Sequence, residues 1–587
     1  MKQFLITMGG VLAGLVLFFV IAPIVIIVMI ASAIGDKPSN PGEMVLTLDL
    51  REEMSDQPSQ NPFAALSGAQ SLLDTLRKIE AAGDDDAVKG IYIRANTDGM
   101  AASQAEELRA ALEAFRQKGK FVIAHIQADG VRMSMAGYTA VAGADELWLQ
   151  NASEFQPMGL SSEVSFFADT LRRFHIEAQF EQREEYKNAP NQFTQSGFTP
   201  AHREATQSLM NGLYGDMITD IAADREIAPA QARAAVEATP MTGDRAVAAK
   251  LADKLGRPED AEAAALERAG GDAELVDIAQ YVVHPHLSGP IIAVVSGEGA
   301  IVSGPNRSSP FSDAASMNSD AVAQALLDAS EDNDVKAIIF RVSSPGGSVV
   351  ASDQILHAVR TAQGRGKKVI VSMGEVAASG GYYVAAHADE IVASSTTITG
   401  SIGVFGGKIV LGPALEHYAS IRNASVSVGS PLATMFSADA GFTQAERAAF
   451  AGFIDRAYND FLSLVADGRH LTVAQAREVA RGRVWTGDQA KARGLVDHIG
   501  GFSVALQRAK ALAGIGADER VQLRMYPTPR SPFEQFQNLF GASAENAQSL
   551  AALAEIARDP QLVEALAQLR ANREASARAE AQGVRVR

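Results

Sequence analysis

The sequence predicts an α/β fold built by tandem duplication of one βαβ-type unit, with a single apolar segment ahead of it. Three observations carry this. Short Val/Ile-rich runs alternate with helix-patterned runs, the spacing expected of βαβ units with a mainly parallel sheet. Six sequence blocks recur in the same order at a spacing of 244 to 247 residues, and self-similarity at a fixed period marks internal repetition. Residues Phe4 to Ile34 carry no charged side chain and follow Lys2.

Composition narrows the function classes. A chain of 587 residues exceeds one hydrophobic core. Apolar content of 47% and charged content of 21% suit a globular protein. There are 69 acidic against 52 basic residues, a net charge of −17, and no basic block. Phosphate binding needs clustered Lys and Arg, so no nucleic-acid partner is expected. The absence of cysteine excludes disulfides, thiolate metal sites and a cysteine nucleophile.

In chain order, residues 1–35 come first. Roughly 20 apolar residues span a bilayer, so this run is long enough even when tilted. Ala31-Ser32-Ala33 could serve as a signal-peptidase site, but a secretory apolar region covers only about 7–15 residues. The length favours an uncleaved transmembrane anchor. Lys2 and the amino terminus would stay in the cytoplasm, which puts the rest of the chain beyond the cytoplasmic membrane. Residues 36–43 read as a polar linker.

The first repeat, 44–288, opens with a strand over Met44 to Leu50 and helical spacing over Asn61 to Ala82. A buried-type strand at Val88 to Arg94 and a helix at Gln104 to Gln117 follow. A strand at Lys120 to Ile126, a helical piece at Gly137 to Ala142 and a strand at Glu146 to Leu149 complete the pattern. The second repeat, 289–526, restates it. Ile291 to Val295 matches Met44 to Leu48, and Val335-Lys336 with Ile338 and Arg341 matches Val88-Lys89 with Ile91 and Arg94. Gly366-Lys367 matches Gly119-Lys120, and Gly381-Tyr382 matches Gly137-Tyr138. Gly441-Phe442-Thr443 matches Gly197-Phe198-Thr199, and Thr486-Gly487-Asp488 matches Thr242-Gly243-Asp244. Residues 527–587 change character to a Pro-bearing linker and an Ala-rich, helix-prone tail.

The differences between the copies point to chemistry. The second copy carries Ala377-Ala378-Ser379-Gly380-Gly381 ahead of a helical segment at Tyr382 to Ala388. A serine there has an ordinary explanation as a helix N-cap, yet the first copy has Met135 at the matching position. The second copy also has Ser344-Pro345-Gly346-Gly347 after a buried strand, where the first has Thr97-Asp98-Gly99. A Gly-rich turn after a parallel strand exposes N–H groups that can hold a developing oxyanion. Features needed only for folding would be required in both copies, so the asymmetry indicates a function performed once.

A serine nucleophile needs a base. His387 lies eight residues past Ser379, about 12 Å along a helix and out of reach. His357 and His417 lack a triad-like context, and no GxSxG elbow is present. A buried lysine can lose its proton instead. The first copy has Tyr186-Lys187-Asn188-Ala189, and the matching region of the second copy, at Pro431, has no lysine. One copy keeps a lysine and lacks the serine; the other keeps the serine and lacks the lysine.

Ala378-Ser379-Gly380-Gly381-Tyr382-Tyr383, Ser343-Ser344-Pro345-Gly346-Gly347, Thr399-Gly400-Ser401-Ile402-Gly403 and Tyr186-Lys187-Asn188-Ala189 together resemble the long form of the signal peptide peptidase A (protease IV) family. The resemblance runs from the apolar segment to about Tyr526. It implies the Clp-protease/crotonase fold, Ser379 as nucleophile, Lys187 as general base and Ser401 as the hydroxyl that orients the lysine. It further implies an oxyanion hole at Gly347 and Gly380, no metal or cofactor, and a homotetramer at the bacterial cytoplasmic membrane. The implied substrates are signal peptides and other short hydrophobic peptides. Two alternatives stand beside this: a crotonase-type acyl-CoA enzyme, and a membrane scaffold whose repeats are inactive.

Overall fold

The computed structural model describes residues 40–58, 70–95, 99–128, 133–283, 288–305 and 315–528. The apolar segment read as an anchor, residues 36–39 of the linker and nearly all of the tail after Tyr526 lie outside the described residues. Among the described residues no helix is long and apolar enough to cross a membrane.

In the first copy, Met44–Asp49 (β1), Val88–Arg94 (β2), Phe121–Ile126 (β3) and Glu146–Leu149 (β4) alternate with helices. The helices are Leu72–Gly83 (α1), Ala102–Gln117 (α2) and Met135–Val141 (α3). Glu177–Gln182 (β5) leaves this sheet, and Pro200–Asp224 (α4) packs on α3. Lys254–Leu255 (β6) and Glu274–Asp277 (β7) close the edges, giving an all-parallel order β6-β4-β3-β2-β1-β7. Strands covered on both faces are apolar throughout rather than alternating, and Phe121–Ile126 is buried at every position. Of the helical spacing read over Asn61 to Ala82, residues 61–69 lie outside the described residues. The rest forms α1, which begins at Leu72 because Ser71 caps it by accepting from the Asp74 N–H.

The second copy supplies Ile291–Glu298 (β8), Ser319–Glu331 (α5), Val335–Ser344 (β9), Val349–Gly364 (α6), Lys368–Ala378 (β10) and Gly380–Ala385 (α7). Then come Glu390–Ala393 (β11), Ile398–Gly400 (β12), Phe405–Val410 (β13), Gln444–Gly468 (α8), Val484–Thr486 (β14), His498–Ile499 (β15), Phe502–Leu512 (α9) and Gln522–Tyr526 (β16). Its core runs β15-β11-β10-β9-β8-β16, the order of the first copy. The repetition extends to irregularities. A register shift between Met44 and Val45 against β2 recurs between Ile291 and Ile292 against β9. Tyr138 donates its hydroxyl to Leu251 O at 2.8 Å, and Tyr382 does the same to Leu495 O at 2.9 Å. Thr199 and Thr443 cap the matching 25-residue helices α4 and α8.

One difference joins the copies. Arg341 on β9 is 1% exposed. It donates to both carboxylate oxygens of Asp56 and of Glu107, all first-copy atoms, and to Ser372 Oγ on β10 at 3.0 Å. Its first-copy counterpart, Arg94, instead meets Gln127 Oε1 at 2.9 Å. Burial works against the Arg341 charge, and the two carboxylates more than offset it, so the guanidinium holds its proton more tightly than usual. Removing one member of such a cluster strands the others without water. Arg341→Met should therefore lose about 3–5 kcal/mol of stability in denaturant unfolding. Adding Asp56→Leu and Glu107→Leu should restore much of that loss.

Candidate active site

β10 ends at Ala378 and α7 begins at Gly380, so Ser379 alone makes the turn, with φ 54° and ψ −116°. A non-glycine residue at positive φ costs on the order of 1–3 kcal/mol and marks a constrained position. The turn is possible because its neighbours are small. A Cβ on Gly380 would sit 2.7 Å from Ser352 Oγ, and one on Gly381 2.5 Å from Ser344 O. Ser379 makes no side-chain capping bond to its helix, so the N-cap explanation does not apply. The first copy shows the ordinary arrangement. There Ser134, at φ −68° and ψ 133°, caps α3 by accepting from Gly137 N, and Met135 is buried core. The backbone of Ser379 is held by its own N–H, which donates to Gly400 O at 2.9 Å.

Lys187 reaches this serine from the other copy. β5 pairs antiparallel with β13 of the second copy, and Arg183 N continues the pairing to Val404 O at 3.0 Å. The chain then turns inward, and Lys187 is 3% exposed. Its Nζ lies 3.0 Å from Ser379 Oγ, 2.9 Å from Ser401 Oγ and 2.8 Å from Ser401 O. Burial pushes the Lys187 amine down to about 7. The carbonyl of Ser401 can only accept, so it takes one amine N–H. Ser401 Oγ has Gly482 O at 3.5 Å as an acceptor for its own proton, which leaves its lone pairs for a second amine N–H. The neutral amine then has its lone pair left for the Ser379 hydroxyl.

The Pro345-Gly346-Gly347 turn lies against the same serine. A Cβ on Gly346 would come within 2.6 Å of Gly380 N and 2.8 Å of Ser379 Cβ. Gly347 N is 3.1 Å from where a Gly380 Cβ would be. Gly347 itself can be only glycine, since a Cβ there would strike Ile301 O at 2.1 Å. Thus Ser379, Lys187, Ser401, Gly347 and Gly380 all meet at one place. His387 and His417 do not. His387 contacts Arg360 and Asp467, and His417 stacks on His175 with ring centroids 4.0 Å apart. Sequence reasoning missed the Arg481-Gly482-Arg483 turn beside Lys187. The first copy has Glu237-Ala238-Thr239 at the matching positions, so the same copy-to-copy comparison held the signal.

The model of peptidase family S49 matches the chain twice, over residues 114–271 and 361–516. Protease 4 of Salmonella typhi is 32% identical over 507 residues, covering 82% of this chain and 80% of that protein. The chain belongs to peptidase family S49. Protease 4 of Haemophilus influenzae is 30% identical over 533 residues, covering 85% of this chain and 84% of its own. The chloroplastic serine protease SPPA of Arabidopsis thaliana is 27% identical over 515 residues, covering 85% and 73%. The two S49 matches fall one in each copy, so the family unit is itself what is duplicated. As an S49 member the protein is a serine peptidase, and neither the acyl-CoA enzyme nor the inactive scaffold finds support.

A lysine kept near 7 destabilises the fold that holds it. Between about 7 and its ordinary value of 10.5 the unfolded chain binds a proton that the folded chain does not. Stability therefore rises with pH through that window. Lys187→Met should be more stable than the wild type near pH 6, with the advantage shrinking by roughly 2–3 kcal/mol near pH 9. Denaturant unfolding of both proteins at the two pH values checks this.

Proposed function

We propose that the protein is a membrane-anchored endopeptidase that degrades signal peptides and other short apolar peptides through a Ser–Lys dyad. The observation that carries the dyad is the buried Lys187 Nζ, 3.0 Å from Ser379 Oγ. In this reading the neutral amine takes the Ser379 proton as Oγ attacks the scissile carbonyl. The N–H groups of Gly347 and Gly380 receive the oxyanion. The Lys187 ammonium then protonates the leaving amine, an acyl-enzyme remains on Ser379, and water repeats the sequence to release it. Ser401 keeps the amine aimed at Ser379 throughout. The scheme needs no metal or cofactor.

The same reading covers location and assembly. The uncharged run Phe4 to Ile34 supports a single anchor in the bacterial cytoplasmic membrane, with the peptidase on its outer side. Such an anchor keeps the site beside peptides left in the bilayer. Homotetramer formation is supported by a pairing used only once within the described residues. β5 of the first copy pairs with β13 of the second. Their counterparts 244 residues away, 421–426 in the second copy and 161–166 in the first, form no strand. Val426 there is 96% exposed. The second copy of one chain can offer 421–426 to the first copy of the next, a head-to-tail contact that closes into a ring.

Two experiments test the proposal. A fluorophosphonate should label the wild type at Ser379 alone, as mapped by mass spectrometry, and Ser379→Ala should lose both labelling and turnover of an apolar peptide. Lys187→Ala should lower turnover roughly 10²–10⁴-fold, and the wild-type rate should rise with pH through about 7 and then stay level, because the neutral amine is the active form. If Lys187→Ala stays active while a change at His357, His387 or His417 abolishes turnover, the base is misassigned. Separately, residues 35–587 should leave the membrane fraction yet sediment as a tetramer, and Val426→Asp with Val428→Asp should dissociate it. A truncation that stays with membranes, or a monomeric wild type, would count against anchor and assembly respectively.

A further inference from the structure

The Lys187 side chain has a wall that no catalytic role explains. In the second copy, the helix Val473–Val479 stops two positions short of its first-copy counterpart, Pro229–Glu237. The chain then makes a tight turn, with Ala480 at ψ −105°, Arg481 at φ 52° and Gly482 at φ 77°. Four contacts of its backbone run to the site. Tyr186 N donates to Arg481 O at 3.2 Å, and Gly482 N donates to Ile402 O at 2.9 Å. Ser401 N donates to Arg483 O at 2.7 Å, and Ser401 Oγ lies 3.5 Å from Gly482 O.

The turn also presses directly on the lysine. A Cβ on Gly482 would lie 2.5 Å from Lys187 N, 2.6 Å from its Cβ and 2.7 Å from its Cα. These are backbone and near-backbone atoms, which cannot swing aside. The flanking arginines grip the preceding residue from the second copy. The Arg481 and Arg483 guanidiniums lie 5.6 Å and 5.0 Å from the centre of the Tyr186 ring, a cation–π arrangement. They also pair with Glu185 and Glu204 of the first copy.

We infer that the Ala480–Arg483 turn, with Gly482 at its centre, is the positioning element for the base: it clamps Tyr186-Lys187 of the first copy and Ser401 of the second into one rigid unit. Neither Gly482 nor the arginines touch a reacting atom. They act through Lys187, so the inference rests on the Ser–Lys reading. The matching first-copy segment has no lysine to position, because the second copy carries Pro431 where the first has Lys187, and there the helix runs on through Glu237.

The test is the pH dependence of fluorophosphonate labelling of the full-length protein, which needs no peptide substrate. Gly482→Ala should lower the plateau rate about 10²-fold, the cost of a misplacement near 1 Å. Its rising limb should move to higher pH, because a displaced amine regains water and keeps its proton longer. Gly514→Ala is the control. Gly514 has a similar φ of 71°, with nothing within 4 Å of its added Cβ, and the substitution should change neither plateau nor limb. Arg483→Gln should move the limb the same way by less, and it decides the matter if Gly482→Ala does not fold. An unmoved limb in the folded variants, or an equal shift in Gly514→Ala, overturns the turn's role. Lys187→Ala separates the two readings. If it is labelled at the wild-type rate, the dyad itself is wrong; if it is inert while Gly482→Ala behaves as wild type, only the clamp is.

Discussion

A primary amine buried without a carboxylate is the constraint on which the rest of this structure depends. Among the described residues Lys187 has only hydroxyl and carbonyl partners in exchange for water, and its burial favours the neutral form. Such an arrangement is costly to hold, and β5 with its own copy could not hold it alone. The β5–β13 pairing carries the lysine across, the Gly403 and Gly482 backbones close on it, and the Arg341 cluster ties β9 and β10 to the first copy. These contacts together bring two copies of one fold to one candidate active site.

Duplication explains how the strain is tolerated. In the first copy, the turn into α3 uses a relaxed serine cap at Ser134 and buries Met135. In the second, the same turn is forced to positive φ at Ser379 and gives up its cap. At this turn the strain falls on the second copy, while the first keeps an ordinary backbone conformation at the matching position. The 480–483 turn follows the same division, since there too the first copy keeps the regular form, with two more helical residues.

Much of this is legible in the chain. Apolar runs such as Val122-Ile123 and Ile338-Ile339 announce strands covered on both faces, and the near-constant offset between blocks announces duplication. The serine and lysine emerge because each is missing from the other copy. What cannot be read depends on contacts distant in sequence or on the sign of one dihedral. Arg94 and Arg341 look equivalent when the copies are aligned, and only folding brings Asp56 and Glu107 to one of them. That Ser379 stands at positive φ, without a capping bond to its helix, shows only in the fold. Gly482 differs from Ala238 of the first copy, but its closeness to Lys187 shows only in the fold.

In the proposed dyad, the base in the first copy and the nucleophile in the second have a consequence for synthesis. The ribosome delivers the lysine well before the serine, and the turn that fixes the lysine comes later still. A nascent chain therefore holds a complete first copy, apolar segment included, with no means of cutting a peptide bond. In that reading competence waits for Ser379, Ser401 and the 480–483 turn of the second copy. In this order of synthesis an unfinished chain holds one half of the proposed dyad and not the other.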